Sequence, residues 1–475
     1  MLTRRRFVGY SALASAALAS GTLRRRAFAQ TPAPGEGPLR LAILGSVYSP
    51  GSAMQDLADR FLVGFPWEGD WHMPRVHVVS MYVDQRARMA AARPSGYEQA
   101  MRGLRLAPAG PGEDRGPARA HQHAAQPPAI TPNTTADLSE ARARQFGFLL
   151  AHNIPEALRC GGNRLAVDAV LSVVEQDNYP TNDRGQILLP SYDFYQQCIQ
   201  VFGDEEQAVP YFNYGQLSFS FPEAQRMVDT ASHIGVSLMA GSAMPVTWRL
   251  PNVDLPMNAE VQEAVMVGTS NPFMTCFDAL EAMQCMLERR KGGETGVKAV
   301  QLLEGDDVWA AGDAGRWSKD LLSSALSRSD TPRGLTVLDG RTQDLVASGV
   351  LPQLVKDPAA YCIEYLDGTR ATMLMLSGAV TDFNIALGLR GRDHPVSAQF
   401  FLPPPPNNDW SAPLAAKVEE LFYTRTAPWP VQRTLLTSGM LEACLDSRHR
   451  LNQRLETPHL AVSYQPPAES QYVRT

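Results

Sequence analysis

Few side chains in this sequence combine type and spacing in a way that could do chemistry. Asp278 and Glu281, in "CFDALEAMQCML", lie three residues apart and share one face of a helix. Such a carboxylate pair can do acid/base work or bind a cation; it can also be a pair of solvated charges early in a helix, where the dipole favours acids. Tyr214 sits in "PYFNYGQLSF", residues 210–219, a stretch with no charge at all. Its phenol could relay a proton if its pKa were tuned, or it could be structural. Trp248 and Arg249, in "PVTWRLP", suit a sugar or an anionic ligand through stacking and paired hydrogen bonds; an interdomain salt bridge is the alternative. Glu175 and Asp177 follow a buried run, and Asp84 ends another. Asp84 could accept ribose hydroxyls or be a simple polar strand exit. His121 and His123 form an H-x-H pair inside a low-complexity segment, and no metal site is expected. The six cysteines, Cys160, Cys198, Cys276, Cys285, Cys362 and Cys444, show no C-x-x-C spacing. They read as small buried hydrophobes, with one disulfide left open in an oxidising compartment.

The elements that must position these residues alternate regularly at first. "LRLAILGS" reads as a buried strand, "AMQDLADRFLVGF" as a helix and "RVHVVSMYVD" as a second strand ending in Asp84. Residues 86–135, rich in Ala, Arg, Pro and Gly, read as a flexible insertion. A helix in "ADLSEARARQFGF" follows, then a strand in "LAVDAVLSVV", a helix, the strand "AVPYF", a helix with Pro222 in its first turn, and the strand in "VSLMAG". This rhythm predicts a parallel sheet with helices on both faces, over residues 39–245. Residues 246–475 mix helices with hairpins, one turning at Asp367-Gly368, and predict an α+β domain on a mixed, largely antiparallel sheet.

The bulk properties frame that layout. The chain has 475 residues, too many for one ordinary core, so two domains are expected. It is 44% hydrophobic and 19% charged with a net charge of −6, which argues against nucleic acid or an acidic membrane as main partner. The N-terminus reads "TRRRFVGYSALASAALASGTLRRRAFAQ". It fits a twin-arginine export signal over residues 1–29, with a weakly apolar middle and an A-x-A cleavage site, which implies the export machinery as a partner and a periplasmic destination.

The order of elements resembles the family of glucose–fructose oxidoreductases, inositol dehydrogenases and rhizopine-catabolism proteins (Gfo/Idh/MocA). The quoted stretches that carry the likeness are "IPEALRCGGNRLAVDAVLSVV", "AVPYFNYGQLSFSFPEAQRMVDTASHIGVSLMAGS" and "CFDALEAMQCML". The resemblance implies an N-terminal dinucleotide-binding domain, NAD or NADP as cofactor, and a sugar-like or cyclitol substrate. It also implies pairing with a second copy through the C-terminal sheet. It places Gly45, Ser46, Gly51, Asp84 and Glu175 around the cofactor and Trp248 and Arg249 near the substrate. The sequence departs from the family at three points. "LGSVYSPGSAMQD" lacks G-x-G-x-x-G, the position of the family's lysine falls on Tyr214 or Gly215, and that of its catalytic histidine on Asp278, with Glu281 beside it. Two functions therefore stand: an exported oxidoreductase with tightly bound NAD(P), or a non-redox descendant that binds carbohydrate or acts as a lyase or hydrolase.

Overall fold

The computed structural model describes residues 29–30, 37–86, 137–175, 178–269, 276–334, 337–338, 341–403 and 408–474. The export signal as far as residue 28, the insertion from residue 87 to 135 with its two histidines, and Asp177 lie outside the described residues.

Six strands form the first sheet: β1 (Leu39–Gly45), β2 (Val76–Val83), β3 (Leu149–Ala151), β4 (Ala169–Val173), β5 (Tyr211–Tyr214) and β6 (Leu238–Gly241). All are parallel, and their spatial order is β6-β5-β4-β1-β2-β3. This is the doubly wound dinucleotide-fold order 3-2-1-4-5-6. Strands buried on both faces must be apolar throughout, and β4 is buried at every residue. Within β1 the side chains alternate between two cores. Ala42 and Leu44 pack with α3 (Ile154–Arg159), α4 (Ser191–Asp204) and α5 (Phe221–Ile234). Leu41 and Ile43 pack with α1 (Ala53–Val63). The preceding helix α2 (Ser139–Phe146) starts with Asp137 accepting the Ser139 amide at 2.9 Å and ends at Gly147 in the left-handed region.

The chain then crosses into an eight-stranded mixed sheet, ordered β7-β13-β12-β8-β11-β10-β9-β14. Its strands are β7 (Trp248–Leu250), β8 (Val261–Gly268), β9 (Val297–Glu304), β10 (Ala359–Tyr365), β11 (Arg370–Met375), β12 (Phe383–Leu389), β13 (Val396–Phe401) and β14 (Leu455–Glu456). Only the β8–β11 pair is parallel. The β10–β11 hairpin turns at Asp367-Gly368 as the sequence predicts, with Gly368 at φ +89°. The central strand β8 and the three-residue β3 are not anticipated from the sequence. Helices α6 (Cys276–Leu287) and α10 (Gln432–His449) cover one face of this sheet. Helices α7 (Asp306–Asp313) and α8 (Lys319–Leu326) cover the other, burying Val265, Val267, Leu374 and Ala386.

One helix departs from the expected division of the chain. α9 (Ser411–Thr424) returns to the first sheet, where Leu414, Val418 and Phe422 share a core with Met54, Leu57 and Phe61. The Phe61 and Phe422 rings lie 6.2 Å apart. Among the described residues no helix is long and apolar enough to cross a membrane.

Helix α6 is buried on nearly all sides, so the polar groups at its end need partners. Glu288, just past its last turn, accepts from Arg433 of α10 at 2.8 and 2.6 Å and from the Tyr464 hydroxyl at 2.9 Å. Replacing Arg433 with Met strands a buried carboxylate and is expected to cost about 3–5 kcal/mol in urea unfolding. The double variant Arg433→Met/Glu288→Leu removes both charges and should recover most of that loss; a double variant as unstable as the single one would show that the pair is not what holds α10 to α6.

Candidate functional site

The sheet reverses its strand order between β1 and β4, and in folds of this order ligands bind outside the C-terminal ends of the strands at that point. Four segments meet at this edge: the loop from Ser46 to α1, Glu175 after β4, Tyr214 and Gly215 at the end of β5, and Gly241 and Ser242 at the end of β6. Asp278 and Glu281 of α6 approach from the side of the second sheet.

Glu175 holds the start of α1. Its two carboxylate oxygens accept the amides of Ala53 and Met54, each at 3.0 Å. Its own amide donates to Ser46 Oγ at 3.0 Å, and Ser46 Oγ donates back to the Glu175 carbonyl at 3.3 Å. Ser52 caps the helix by accepting from Gln55 N at 3.1 Å and also takes the Ser49 amide at 3.2 Å. Gln55 Oε1 accepts from Gly51 N at 2.7 Å. The loop donors that would cradle a phosphate are thus engaged within the chain. Gly45 is a glycine for an internal reason, since a Cβ there would lie 2.2 Å from Met54 Sδ. Asp84 is exposed at the end of β2, where its oxygens accept from Tyr82 at 2.8 Å and Tyr179 at 2.9 Å.

"PYFNYGQLSF" is strand for half its length. Tyr211–Tyr214 is β5, and Gly215 continues it through its amide to the Gly241 carbonyl at 3.0 Å. Gly215 has φ +79°, a conformation in which a side chain would be strained. Asn213 braces the turn, donating to the Tyr214 and Gln216 carbonyls at 3.3 and 3.0 Å, while its own buried Oδ1 has no donor among the described residues. Half-buried Tyr214 is pushed far above the ordinary phenol range by burial and by the carboxylates of Asp278, Glu175 and Asp56. It therefore stays protonated at neutral pH, which leaves its hydroxyl able to donate and unsuited to act as a base. Asp56, in the first turn of α1, is itself raised to about 6 by burial, against the opposing pull of the Asn408 amide and Arg60.

The two carboxylates of α6 part company. Asp278 is half-buried and bears on Tyr214. Glu281 is fully buried, accepting from Thr437 at 2.8 Å, Thr434 at 3.2 Å and the Ser242 amide at 3.4 Å. Gly241, at φ +128°, leaves room for it, since a Cβ there would stand 2.5 Å from Glu281 Oε2. Sequence spacing put both acids on one face, but their chemical settings differ.

Arg249 is only 2% exposed; its two terminal nitrogens are engaged, while its buried Nε has no partner among the described residues. It pairs with Asp254 at 3.1 Å, reaches Cys285 Sγ at 3.5 Å, and lies over the Tyr472 ring at 4.0 Å. Trp248, its neighbour on β7, is half-buried and opposite Phe401 of β13. These two residues are built into the second sheet and its C-terminal segment. Among the described residues no group of three or more His, Cys, Asp or Glu side chains is placed to hold a metal ion.

Burial raises Glu281 from its usual 4.5 to about 7, with Arg433 and the two threonines pulling the other way. A carboxyl raised on folding binds its proton more tightly in the folded state, so its stabilisation is full below about pH 4.5 and fades as pH rises through 7. The span corresponds to about 3 kcal/mol. Glu281→Gln should therefore flatten the decline of unfolding free energy between these pH values, measured against wild type. Parallel profiles for the two proteins would refute a raised Glu281.

No protein-family model matches this chain, and no curated protein is similar to it. Some solved structures are similar to it at low identity. GenD2 from gentamicin A biosynthesis, in complex with NAD, is 12% identical, with 88% of this chain and 96% of that one covered at a TM-score of 0.48. Myo-inositol dehydrogenase from Lactobacillus casei, in complex with NAD(H) and myo-inositol, is 10% identical, with 88% and 96% covered at 0.45. UDP-N-acetylglucosamine 3-dehydrogenase GnnA from Acidithiobacillus ferrooxidans is 9% identical, with 87% and 97% covered at 0.42. No residue role carries over at such identities.

Proposed function

We propose that this chain is an oxidoreductase-like protein of the Gfo/Idh/MocA type, exported by the twin-arginine route, whose crevice binds a neutral or amine-bearing polyol without hydride chemistry. Folds of this strand order ordinarily take NAD or NADP, with an acid after the second strand, the position of Asp84 here, accepting the ribose hydroxyls. The observation that carries the reading is the polar set at the strand ends. A protonated Tyr214 phenol lies in the field of the Asp278, Glu175 and Asp56 carboxylates, with Gly215 in the turn beside it. Phenol and carboxylates together donate to and accept from vicinal hydroxyls, and their charge favours an amine over a carboxylate or phosphate on the ligand. The orphaned Asn213 Oδ1 at the same edge adds a buried acceptor that a ligand hydroxyl could satisfy. Neither Tyr214 nor Gly215 can do the work of a lysine, and an aspartate, Asp278, stands where a catalytic histidine is expected.

The test is thermal denaturation with neutral cyclitols, hexoses, aminosugars, sugar acids and sugar phosphates. Neutral and amine-bearing polyols should raise the melting temperature and anionic ones should not. Tyr214→Phe should weaken binding about tenfold by removing the donor to the ligand. Asp278→Asn should abolish the preference for amines. Stabilisation by sugar acids or phosphates alone would refute the reading. Export has its own test: replacing Arg4 and Arg5 by Lys should hold the chain in the cytoplasm on cell fractionation, and unchanged release would rule out that route.

A further inference from the structure

The most informative contact in the molecule is one made by the chain with itself. A doubly wound nucleotide site seats the pyrophosphate on the free amides at the start of the first helix, after the first strand. In this chain the corresponding amides, Ala53 N and Met54 N, are each 3.0 Å from an oxygen of Glu175. Glu175 enters from the end of β4, across the switch point, from the side a bound dinucleotide would use. We infer that Glu175 is a built-in substitute for the pyrophosphate and bars NAD and NADP from the folded crevice. This rests on the reading of the crevice as non-redox.

Three further features fit this role. Glu175 is clamped through its backbone by Ser46 in both directions, so its side chain is positioned by the loop it caps. The neighbouring donors are spent as well: Ser46 N on the Val173 carbonyl, Ser49 N on Ser52 Oγ and Gly51 N on Gln55 Oε1. The field is also adverse, because a pyrophosphate would join Asp56 and Asp278 around Tyr214. A carboxylate on two amides and a helix dipole gains charge-assisted hydrogen bonds without the entropy loss of capturing a free ligand. A nucleotide must displace this contact before it can bind.

The experiment compares wild type, Glu175→Ala and Glu175→Gln, each full-length with its signal cleaved, using NADH, NADPH and inorganic pyrophosphate as probes. Wild type should copurify with no nucleotide and show no NADH fluorescence enhancement at about 1 mM, the top of the ordinary KM range. Glu175→Ala, which bares both amides, should gain at least about tenfold in nucleotide affinity. Its melting temperature should fall, and pyrophosphate should restore it while leaving wild type unmoved. If Glu175→Ala does not fold, Glu175→Gln carries the test with a smaller gain, because one amide oxygen replaces two carboxylate oxygens. Micromolar nucleotide binding by wild type would overturn the inference, and so would a folded variant that gains neither nucleotide affinity nor pyrophosphate rescue. Failure of polyol binding in wild type would sink the proposed function and leave these outcomes as they stand.

Discussion

Burial of helix α6 is the constraint on which the rest of the structure depends. From Phe277 onward its side chains face protein almost everywhere, between the ends of the first sheet and one face of the second. Apolar residues do that without further conditions, but Glu281, Gln284 and Glu288 cannot, because a buried polar group without a partner costs about 1–3 kcal/mol, and more if charged. Each is matched. Glu281 meets Thr434, Thr437 and the Ser242 amide. Gln284 meets Glu294 at 2.5 Å, the Tyr464 hydroxyl and the Tyr365 hydroxyl. Glu288 meets Arg433 and Tyr464. Arg290 extends the set to Glu294 and Asp367, at the turn of the β10–β11 hairpin. The partners come from both sheets, α10 and the C-terminal segment, so one helix fixes how these parts meet.

That fixing determines the crevice. α6 brings Asp278 toward Tyr214 because Glu281, one turn on, is locked against the end of β6. Gly241 permits the approach, and Gly215 continues the neighbouring strand in a backbone conformation that disfavours any side chain. The negative character of the site is therefore a consequence of packing. Acids from α1, β4 and α6 converge on one phenol, and burial holds that phenol in its protonated form. A dinucleotide fold ordinarily presents the opposite polarity at this edge, amides and a helix dipole aimed at an anion. Here the dipole is answered from within.

Much of the scaffold was legible in the sequence, and the reasons are local. Continuous apolar runs such as "LRLAILG" and "AVLSV" identify parallel strands, and Asp367-Gly368 identifies a hairpin by the backbone its turn requires. The three-residue β3 is too short for periodicity to reveal. The return of α9 to the first sheet is invisible because an amphipathic helix does not state which apolar surface it will cover. Site roles were less legible still. Glu175 was recognisable as an acid after a buried strand, but its contact with amides 121 and 122 residues earlier is set by strand order. Arg249 beside Trp248 read as a ligand pair; its enclosure by Asp254, Cys285 and Tyr472 depends on a C-terminal segment that carries no signal of where it docks.

The departures from the expected nucleotide loop have a common physical logic. Without G-x-G-x-x-G the loop lacks the close backbone approach that pyrophosphate needs, and the space beside Gly45 is filled by Met54, which is fully buried. Once the amides of α1 have no external anion, leaving them unpaired in a half-buried crevice would cost about 1–3 kcal/mol each. A carboxylate from the adjacent strand end is the simplest group that can satisfy two at once and also complement the dipole. In the role inferred for it, the same carboxylate disfavours anions at this edge of the sheet. Gly215, in the left-handed region at the end of β5, would be strained by any side chain. The charge at the strand ends is tied to the packing there: Glu175 answers the amides of α1, and Glu281 the Ser242 amide at the end of β6.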